Sequence, residues 1–240
     1  MLYAGYEISR WAAQPVLSTS GALARTLRGL PRSVRNKPGV RHAWAASELV
    51  SSMHATYDMP SFGIDTVWVD AEQYAITERV TSFSPFAQRI HFRKSVELNQ
   101  PRVLVVGPLS GHYATLIRPT VRSLLSDFDV HVLSWNNARD VPVEKGGFGL
   151  DDYIAHVMME IRELGPDTHV LAVCQPAVPV LAAVSLLAQE DDPAQPLSLT
   201  LIAGPIDTRI NPNSVNEFAM DKPYHYFEKY LIHDVPGSYP

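Results

Sequence analysis

The sequence has very little cysteine, a single residue, Cys174, among 240. A disulfide within the chain is therefore excluded, and this scarcity is typical of proteins from a reducing compartment. The N-terminus lacks a basic segment followed by an apolar stretch, so no secretory signal peptide is predicted. The longest apolar run, residues 170–188, is interrupted by Gln175, Pro176 and Pro179 and does not predict a membrane span. We therefore expect a cytoplasmic protein with no transmembrane segment.

Positive charge is also scarce. Lysine and arginine number 20 against 25 acidic residues, for a formal net charge of −5, so the whole chain has no signature of a nucleic-acid-binding protein. The histidines are scattered, and no close pair of them has an acid or a second cysteine at the spacing of a metal site. The sequence therefore predicts no metal and no cofactor. Hydrophobic residues make up 46%, which is enough to build a globular core.

The positive charge that is present is concentrated at the N-terminus. Residues 1–42 contain one acid, Glu7, and seven basic residues, namely Arg10, Arg25, Arg28, Arg32, Arg35, Lys37 and Arg41. This segment has a net charge of +6, which leaves −11 for the rest of the chain. A basic segment on an acidic body indicates contact with a surface or partner. The alternative is a charged face that only contacts water.

Three regions follow from the pattern of the chain. Residues 1–60 are predicted to form a helical and basic N-terminal arm. Within it, a helix over residues 2–17 is expected to break at Pro15, and the Ser-, Gly-, Pro- and Arg-rich stretch 18–39 is expected to be irregular. Residues 61–205 are predicted to form the folded core, and residues 206–240 to begin a further C-terminal region.

The core region alternates strand and helix. Apolar strands are predicted at 102–106, 130–133, 169–173 and 197–203, with helices at 117–125, 150–163 and 177–189. This order predicts βαβ crossovers and a mostly parallel sheet with helices on both faces. Upstream, residues 75–83 and 88–92 are expected to form an antiparallel hairpin at the edge of that sheet.

Cys174 lies between a predicted buried strand and a predicted helix, in the segment LAVCQPA of residues 171–177. In α/β-hydrolases the nucleophile occupies this sharp strand-to-helix turn. Small residues two before and two after the nucleophile permit the turn, and these positions hold Ala172 and Pro176 where glycine is usual. A helix N-terminus also stabilises negative charge on a thiol. The alternative is a small buried hydrophobic residue, the common state of free cysteine.

An oxyanion hole is predicted beside this turn. The N–H group of Gln175, the residue after the nucleophile, is expected to point toward a developing oxyanion. The loop after strand 102–106, with the sequence VGPLSGH over residues 106–112, is expected to supply the second N–H from Leu109 or Ser110. The alternative is an ordinary strand-to-helix turn, since Gly and Pro mark many of these.

Five segments together resemble the intracellular polyhydroxyalkanoate (polyhydroxybutyrate) depolymerases of the α/β-hydrolase superfamily. The resemblance covers nearly the whole chain in register, and its most specific parts are the Cys-Gln-Pro and Gly-Pro-Ile-Asp-Thr-Arg sequences. The segments are residues 1–11, 106–112, 149–154, 173–176 and 204–209. The resemblance implies cleavage of the ester bonds of stored polyester granules inside bacteria, with Cys174 as nucleophile of a Cys-His-Asp triad. The implied partners are the polymer granule, granule-associated proteins, and coenzyme A as a second acyl acceptor.

The acid and histidine of that triad lie nearer the C-terminus in the family. The resemblance therefore implies that this chain is truncated, with a sheet that is incomplete at its C-terminal side and little activity when isolated. Asp207, His225 and His233 are the only local substitutes that the sequence offers, and we do not expect them to assemble a triad.

Two other functions remain open. A polyhydroxyalkanoate synthase, an acyltransferase, has the same cysteine turn, but synthases usually keep glycine two residues after the cysteine, where this sequence has Pro176. A non-catalytic granule-binding remnant is the third reading, and it fits a chain without a triad histidine.

Overall fold

The computed structural model describes residues 2–53, 59–109 and 113–232. The described residues form two units, one holding residues 2–53 and 59 with 223–232 and the other holding the sheet within residues 60–222. The helices of the first unit are α1 (Leu2–Arg28), α2 (Arg32–Arg35), α3 (Pro38–Ser52) and, last in the chain, α8 (Tyr224–Tyr230). The helices of the second are α4 (Arg118–Leu124), α5 (Leu150–Leu164), α6 (Ala177–Gln189) and α7 (Ser214–Asp221). No described helix is long and apolar enough to cross a membrane.

Helix α1 runs unbroken through Pro15, and this contradicts the expected break and the expected irregular stretch at 18–39. A proline inside a helix removes one hydrogen bond and costs about 3 kcal/mol. Tertiary packing offsets this cost, because α1 packs along α3 with Leu17 and Ala24 buried. The helical arm is therefore present, and packing between its helices allows α1 to continue past Pro15.

A sheet of seven strands has the order β1-β2-β3-β5-β4-β6-β7. The strands are β1 (Thr66–Val69), β2 (Glu72–Phe83), β3 (Ala87–Lys94), β4 (Arg102–Val106), β5 (Asp129–Trp135), β6 (Thr168–Val173) and β7 (Ser198–Ile202). Strands β4 to β7 pair in parallel, whereas β1, β2 and β3 pair antiparallel with their neighbours. The predicted mostly parallel α/β sheet and the antiparallel hairpin are therefore confirmed. The sequence did not indicate β1.

The central strand β4 is covered on both faces. Leu104 and Val106 belong to a core cluster with residues of α5 and α6, among them Val157, Ile161, Val180 and Leu187. Val103 and Val105 point to the opposite face because side chains alternate along a strand, and they are buried as well. A strand buried on both faces is a continuous apolar run, which explains why this segment could be recognised from the sequence.

Strand β7 forms the C-terminal side of the described sheet and pairs with β6 alone. Its residues alternate between exposed and half-buried positions, with Leu199 and Leu201 packed against the core cluster. Among the described residues β7 is thus an edge strand, and an edge strand presents unpaired backbone groups.

A buried ion pair joins the sheet to a helix. The Arg89 guanidinium lies 2.5 Å from the Glu160 carboxylate of α5, with side chains only 8% and 1% exposed. The Ser82 hydroxyl donates to Glu160 at 3.0 Å, and Arg89 also lies 3.1 Å from Glu163, whose side chain is 45% exposed. Removing one member of such a pair leaves the other buried without its partner.

We predict that Arg89→Met lowers the free energy of unfolding by about 3–5 kcal/mol, because Glu160 then lacks its buried cation. The matched control, Glu163→Gln, removes an exposed partner of the same arginine and should cost less than about 1 kcal/mol. Urea unfolding followed by circular dichroism measures both values. Equal losses for the two variants would contradict this account.

Candidate functional site

Cys174 occupies a sharp turn between β6 and α6. Strand β6 ends at Val173, α6 begins at Ala177, and Cys174 has a φ of 68° and is exposed. A non-glycine residue in this left-handed region stores backbone strain, which the surrounding structure has to hold. This is the geometry of a nucleophile elbow, in which the strained turn lifts the reactive atom out of the sheet toward solvent. The structure excludes the alternative of a buried hydrophobic cysteine.

Backbone hydrogen bonds hold the turn on both sides. The Cys174 N–H donates to the Ile202 carbonyl at 2.7 Å, which extends the β6–β7 pairing by one residue. The Ala177 N–H donates to the Cys174 carbonyl at 3.1 Å and so starts the helix. Pro176 lies at the N-cap of α6, where the absence of its N–H removes no helical hydrogen bond.

A close contact beyond β7 also shapes the turn. A Cβ atom on Gly204 would lie 2.1 Å from the Ala177 Cβ and 3.4 Å from the Cys174 carbonyl oxygen. Only glycine fits there without displacement of the first turn of α6. From the sequence, we expected small residues to be required at Ala172 and Pro176. The requirement at Gly204 was not expected, because Gly204 lies 30 positions after Cys174 in the chain.

The expected oxyanion loop does lie against the elbow. The Leu109 N–H donates to the Gln175 side-chain carbonyl oxygen at 2.9 Å. The Gln175 N–H has no hydrogen-bond partner within the described part of the chain. Ser110, the other candidate donor, lies outside the described residues. The two predicted donors Leu109 and Gln175 are therefore neighbours, but the Gln175 side chain already accepts from the Leu109 N–H.

The loop that carries Leu109 is fixed at its base. The Trp135 indole N–H donates to the Gly107 carbonyl at 2.8 Å, and the Gly107 N–H donates to the Leu133 carbonyl at 3.1 Å. A Cβ atom on Gly107 would lie 3.1 Å from the Ala114 Cβ. The strand β5 therefore positions the start of this loop.

No triad is assembled among the described residues. The Asp207 carboxylate accepts two bonds from the Arg209 guanidinium, at 2.8 and 2.9 Å, and this arginine lowers the pKa of Asp207. His225 lies in α8 of the other unit, and His233 lies outside the described residues. Within residues 60–109 and 113–222, no histidine is hydrogen-bonded to Cys174 or to Asp207.

A second group of chemically active side chains lies toward the N-terminal ends of the parallel strands, whereas Cys174 follows the C-terminal end of β6. His91, Asp129 and His131 each place a ligand atom within 4.8 Å of the other two. Sequence spacing gave no indication of this group, because His91 comes from β3 and the other two from β5. The sequence shows Asp129 two residues before His131, but only the pairing of β3 with β5 brings His91 beside them.

Comparisons with known proteins give structural neighbours at low similarity. No family model and no curated protein matches the sequence. Among solved structures, the chain is similar to a serine-to-alanine variant of LAE6, an alpha/beta hydrolase enzyme from the metagenome of Lake Arreo, Spain. The identity is 16% and the TM-score 0.40, over 87% of this chain. The chain spans 63% of the length of that enzyme.

We predict that Gly204→Ala lowers the free energy of unfolding by about 1–3 kcal/mol, because the added methyl group overpacks the contact with Ala177. Gly147→Ala is the matched control, since a Cβ there meets no atom within 4 Å. It should change stability by less than about 1 kcal/mol. Urea midpoints measure both effects, and a Gly204→Ala protein as stable as the control would show that the contact yields without cost.

Proposed function

We propose that this chain is an ester-cleaving α/β-hydrolase that uses Cys174 as its nucleophile. The single observation that supports this most strongly is the backbone of Cys174, a strained, left-handed, exposed residue between β6 and α6. Strain of this kind is retained at functional sites more often than elsewhere. The Cys174 side chain is exposed, so burial of the thiol does not explain the strain, and this favours a chemical role.

The chemistry starts with attack of the Cys174 thiolate on the ester carbonyl carbon. The negative charge on the carbonyl oxygen is then stabilised by the Gln175 N–H, which has no partner in the described chain. The Leu109 N–H becomes the second donor once the Gln175 side chain releases it. The carbon–oxygen bond to the alcohol breaks, the departing alkoxide takes a proton from solvent, and the acyl group stays on the sulfur. Release of the acyl group to water or to the thiol of coenzyme A needs a base, and no described histidine is hydrogen-bonded to Cys174 to act as one.

We further propose that the substrate is a stored polyhydroxyalkanoate such as polyhydroxybutyrate, in the cytoplasm and at the granule surface. Support comes from the way in which the segments that carry the resemblance meet. Gly204 of the Gly-Pro-Ile-Asp-Thr-Arg segment packs against the helix that follows Cys174, and Leu109 of the Val-Gly-Pro-Leu segment binds Gln175. Segments that are distant in sequence thus contact the same turn around Cys174, and this supports a shared origin with the depolymerases.

A second candidate function is non-catalytic binding of the granule. The specific observation in its favour is that no histidine contacts Cys174 within the described part of the second unit. A synthase is less well supported, because Pro176 takes the place of the glycine that synthases usually have.

We predict that this chain reacts once, stoichiometrically, with p-nitrophenyl butyrate. Cys174 should release about one p-nitrophenolate per molecule and retain a butyryl group, because no imidazole is positioned to activate water for the second step. Absorbance at the nitrophenolate band measures the burst, and mass spectrometry of the peptides locates the acyl group.

Cys174→Ala, which should fold normally, is the control and is expected to show no burst. Cys174→Ser should react more slowly, since a hydroxyl needs a stronger base than a thiol. A burst of the same size in Cys174→Ala would disprove the assignment of the nucleophile. A folded wild-type chain with no burst would favour the granule-binding function.

The basic arm supports the proposed granule partner. Arg32, Lys37 and Arg41 are exposed and make no ion pair among the described residues. Exposed apolar side chains of the same unit, among them Ile8 and Trp11, lie on α1. A unit that exposes both basic and apolar groups suits a granule surface that is coated with anionic amphiphiles.

We predict that a triple variant, Arg32→Gln with Lys37→Gln and Arg41→Gln, binds polyhydroxybutyrate particles coated with anionic phospholipid on the order of 100-fold more weakly at low salt. The estimate takes about 1 kcal/mol for each basic residue near such a surface. Co-sedimentation at several salt concentrations measures it. Arg32→Lys with Arg41→Lys preserves the charge and should bind like wild type, with binding that weakens as salt rises. Equal binding by the Gln and Lys variants would exclude a role for the charge.

A further inference from the structure

The group of His91, Asp129 and His131 is built by the register of two strands. His91 of β3 is paired directly with His131 of β5. Asp129 lies two residues before His131 on the same strand, so all three side chains project from the same face of the sheet. They lie near the N-terminal end of β5. Cys174 follows the C-terminal end of the parallel strand β6, so the two groups lie toward opposite ends of the parallel strands.

Both imidazoles face the same carboxylate. The His91 Nε2 lies 2.7 Å from one oxygen of Asp129, and the His131 Nε2 lies 3.4 Å from the other. The two rings are stacked with their centroids 4.2 Å apart and an angle of 9° between their planes. Two nitrogen atoms and a carboxylate therefore surround one small volume.

We infer that His91, Asp129 and His131 form a binding site for a divalent transition-metal ion of the Zn²⁺ class. Two imidazole nitrogens and one carboxylate oxygen form a ligand set that Zn²⁺ accepts, and the fourth tetrahedral position remains for water. Bonds of about 2.0–2.2 Å place tetrahedral ligand atoms roughly 3.3 Å apart. The His131 Nε2 and one Asp129 oxygen, 3.4 Å apart, already have this spacing. The His91 Nε2 lies 2.7 Å from the other oxygen, and it exchanges this hydrogen bond for a bond to the metal.

The protonation states suit this role. Burial lowers the pKa of His131, which favours the neutral imidazole that can bind a metal. Burial opposes ionisation of Asp129, but the hydrogen bonds with His131 and His91 outweigh it, so the pKa of Asp129 is well below its usual range. The side chains of His91 and Asp129 are 20% and 35% exposed, which leaves a path for the ion.

Two other charged groups face the site. The Lys94 ammonium donates to the Phe128 carbonyl at 2.9 Å, and its pKa is lowered by burial although the nearby Asp129 raises it. Arg89 is close enough to disfavour the charged form of His131, but its guanidinium is engaged by Glu160 and Glu163. The His131 Nδ1 is buried without a hydrogen-bond partner among the described residues. A ligand histidine usually has such a partner, so we expect a weaker site than a closed structural zinc site.

The inference is independent of the proposed esterase function, because the site and Cys174 lie toward opposite ends of the parallel strands. A bound ion would join β3, the last antiparallel strand, to β5, the first parallel one. Its consequence is structural: the ion stabilises the folded state by its binding free energy and raises the melting temperature.

The full 240-residue chain, freed of metal by a chelator, is titrated with ZnCl₂ by isothermal calorimetry and with CoCl₂ by visible absorption. We expect one Zn²⁺ per chain, visible Co²⁺ bands of a site with nitrogen and oxygen ligands, and a melting temperature that rises with Zn²⁺. His91→Gln and Asp129→Asn should each weaken Zn²⁺ binding at least about 10-fold, the smallest loss that even an outer-shell change typically causes.

His169→Gln is the matched control, because His169 lies in the same sheet but bonds to Ser198 outside this group, and it should bind Zn²⁺ like wild type. Cys174→Ala must also bind like wild type, which excludes the exposed thiol as the ligand. Circular dichroism verifies that each variant is folded. The inference is overturned if folded wild type binds no Zn²⁺, or if His91→Gln and Asp129→Asn bind it as tightly as wild type does.

Discussion

The hydrogen bond between the Cys174 N–H and the Ile202 carbonyl determines the conformation of the candidate active site. It carries the β6–β7 pairing one residue beyond β6, so that the chain has to reverse into α6 within Gln175 and Pro176. A left-handed Cys174 is the result, and the strain is held because β7 fixes one side of the turn and the first hydrogen bond of α6 fixes the other. Gly204 completes the arrangement, since its lack of a side chain lets the loop after β7 approach the first turn of α6.

The bond between Leu109 and Gln175 has two effects on the proposed chemistry. It holds the loop after β4 against the elbow, so that the two N–H groups of the proposed oxyanion hole are near one another before substrate arrives. It also gives the Leu109 N–H a partner, which an oxyanion has to displace. A neutral amide oxygen is a weaker acceptor than an oxyanion, so the exchange becomes favourable as charge develops on the substrate. The Gln175 N–H, without a partner in the described chain, needs no such exchange.

Sequence reasoning identified those features that depend on local pattern. Strand β4 and helix α6 were predicted with their observed ends, because continuous apolar runs and flanking Gly and Pro are local signals. The continuity of α1 through Pro15 was missed because it depends on packing against α3. Cys174 was proposed from the strand-to-helix junction and Leu109 from its loop, and the structure places the two segments side by side. Gly204 and the His91 group could not be identified, because their roles arise from contacts between strands that only the fold brings together.

Strand β3 shows why buried polar residues are informative in this fold. It lies between the antiparallel and the parallel parts of the sheet, so its side chains have little access to water. A buried polar group without a partner is costly, and three ionisable residues of β3 find partners in neighbouring elements. Arg89 is paired with Glu160, His91 with Asp129, and Lys94 with the Phe128 carbonyl. The second group includes a further imidazole, His131, beside the same carboxylate. Imidazole nitrogens and a carboxylate can bind a cation, whereas the guanidinium of Arg89 and the ammonium of Lys94 cannot. That difference is the physical reason to regard the second group as a candidate binding site and the other two as parts of the framework.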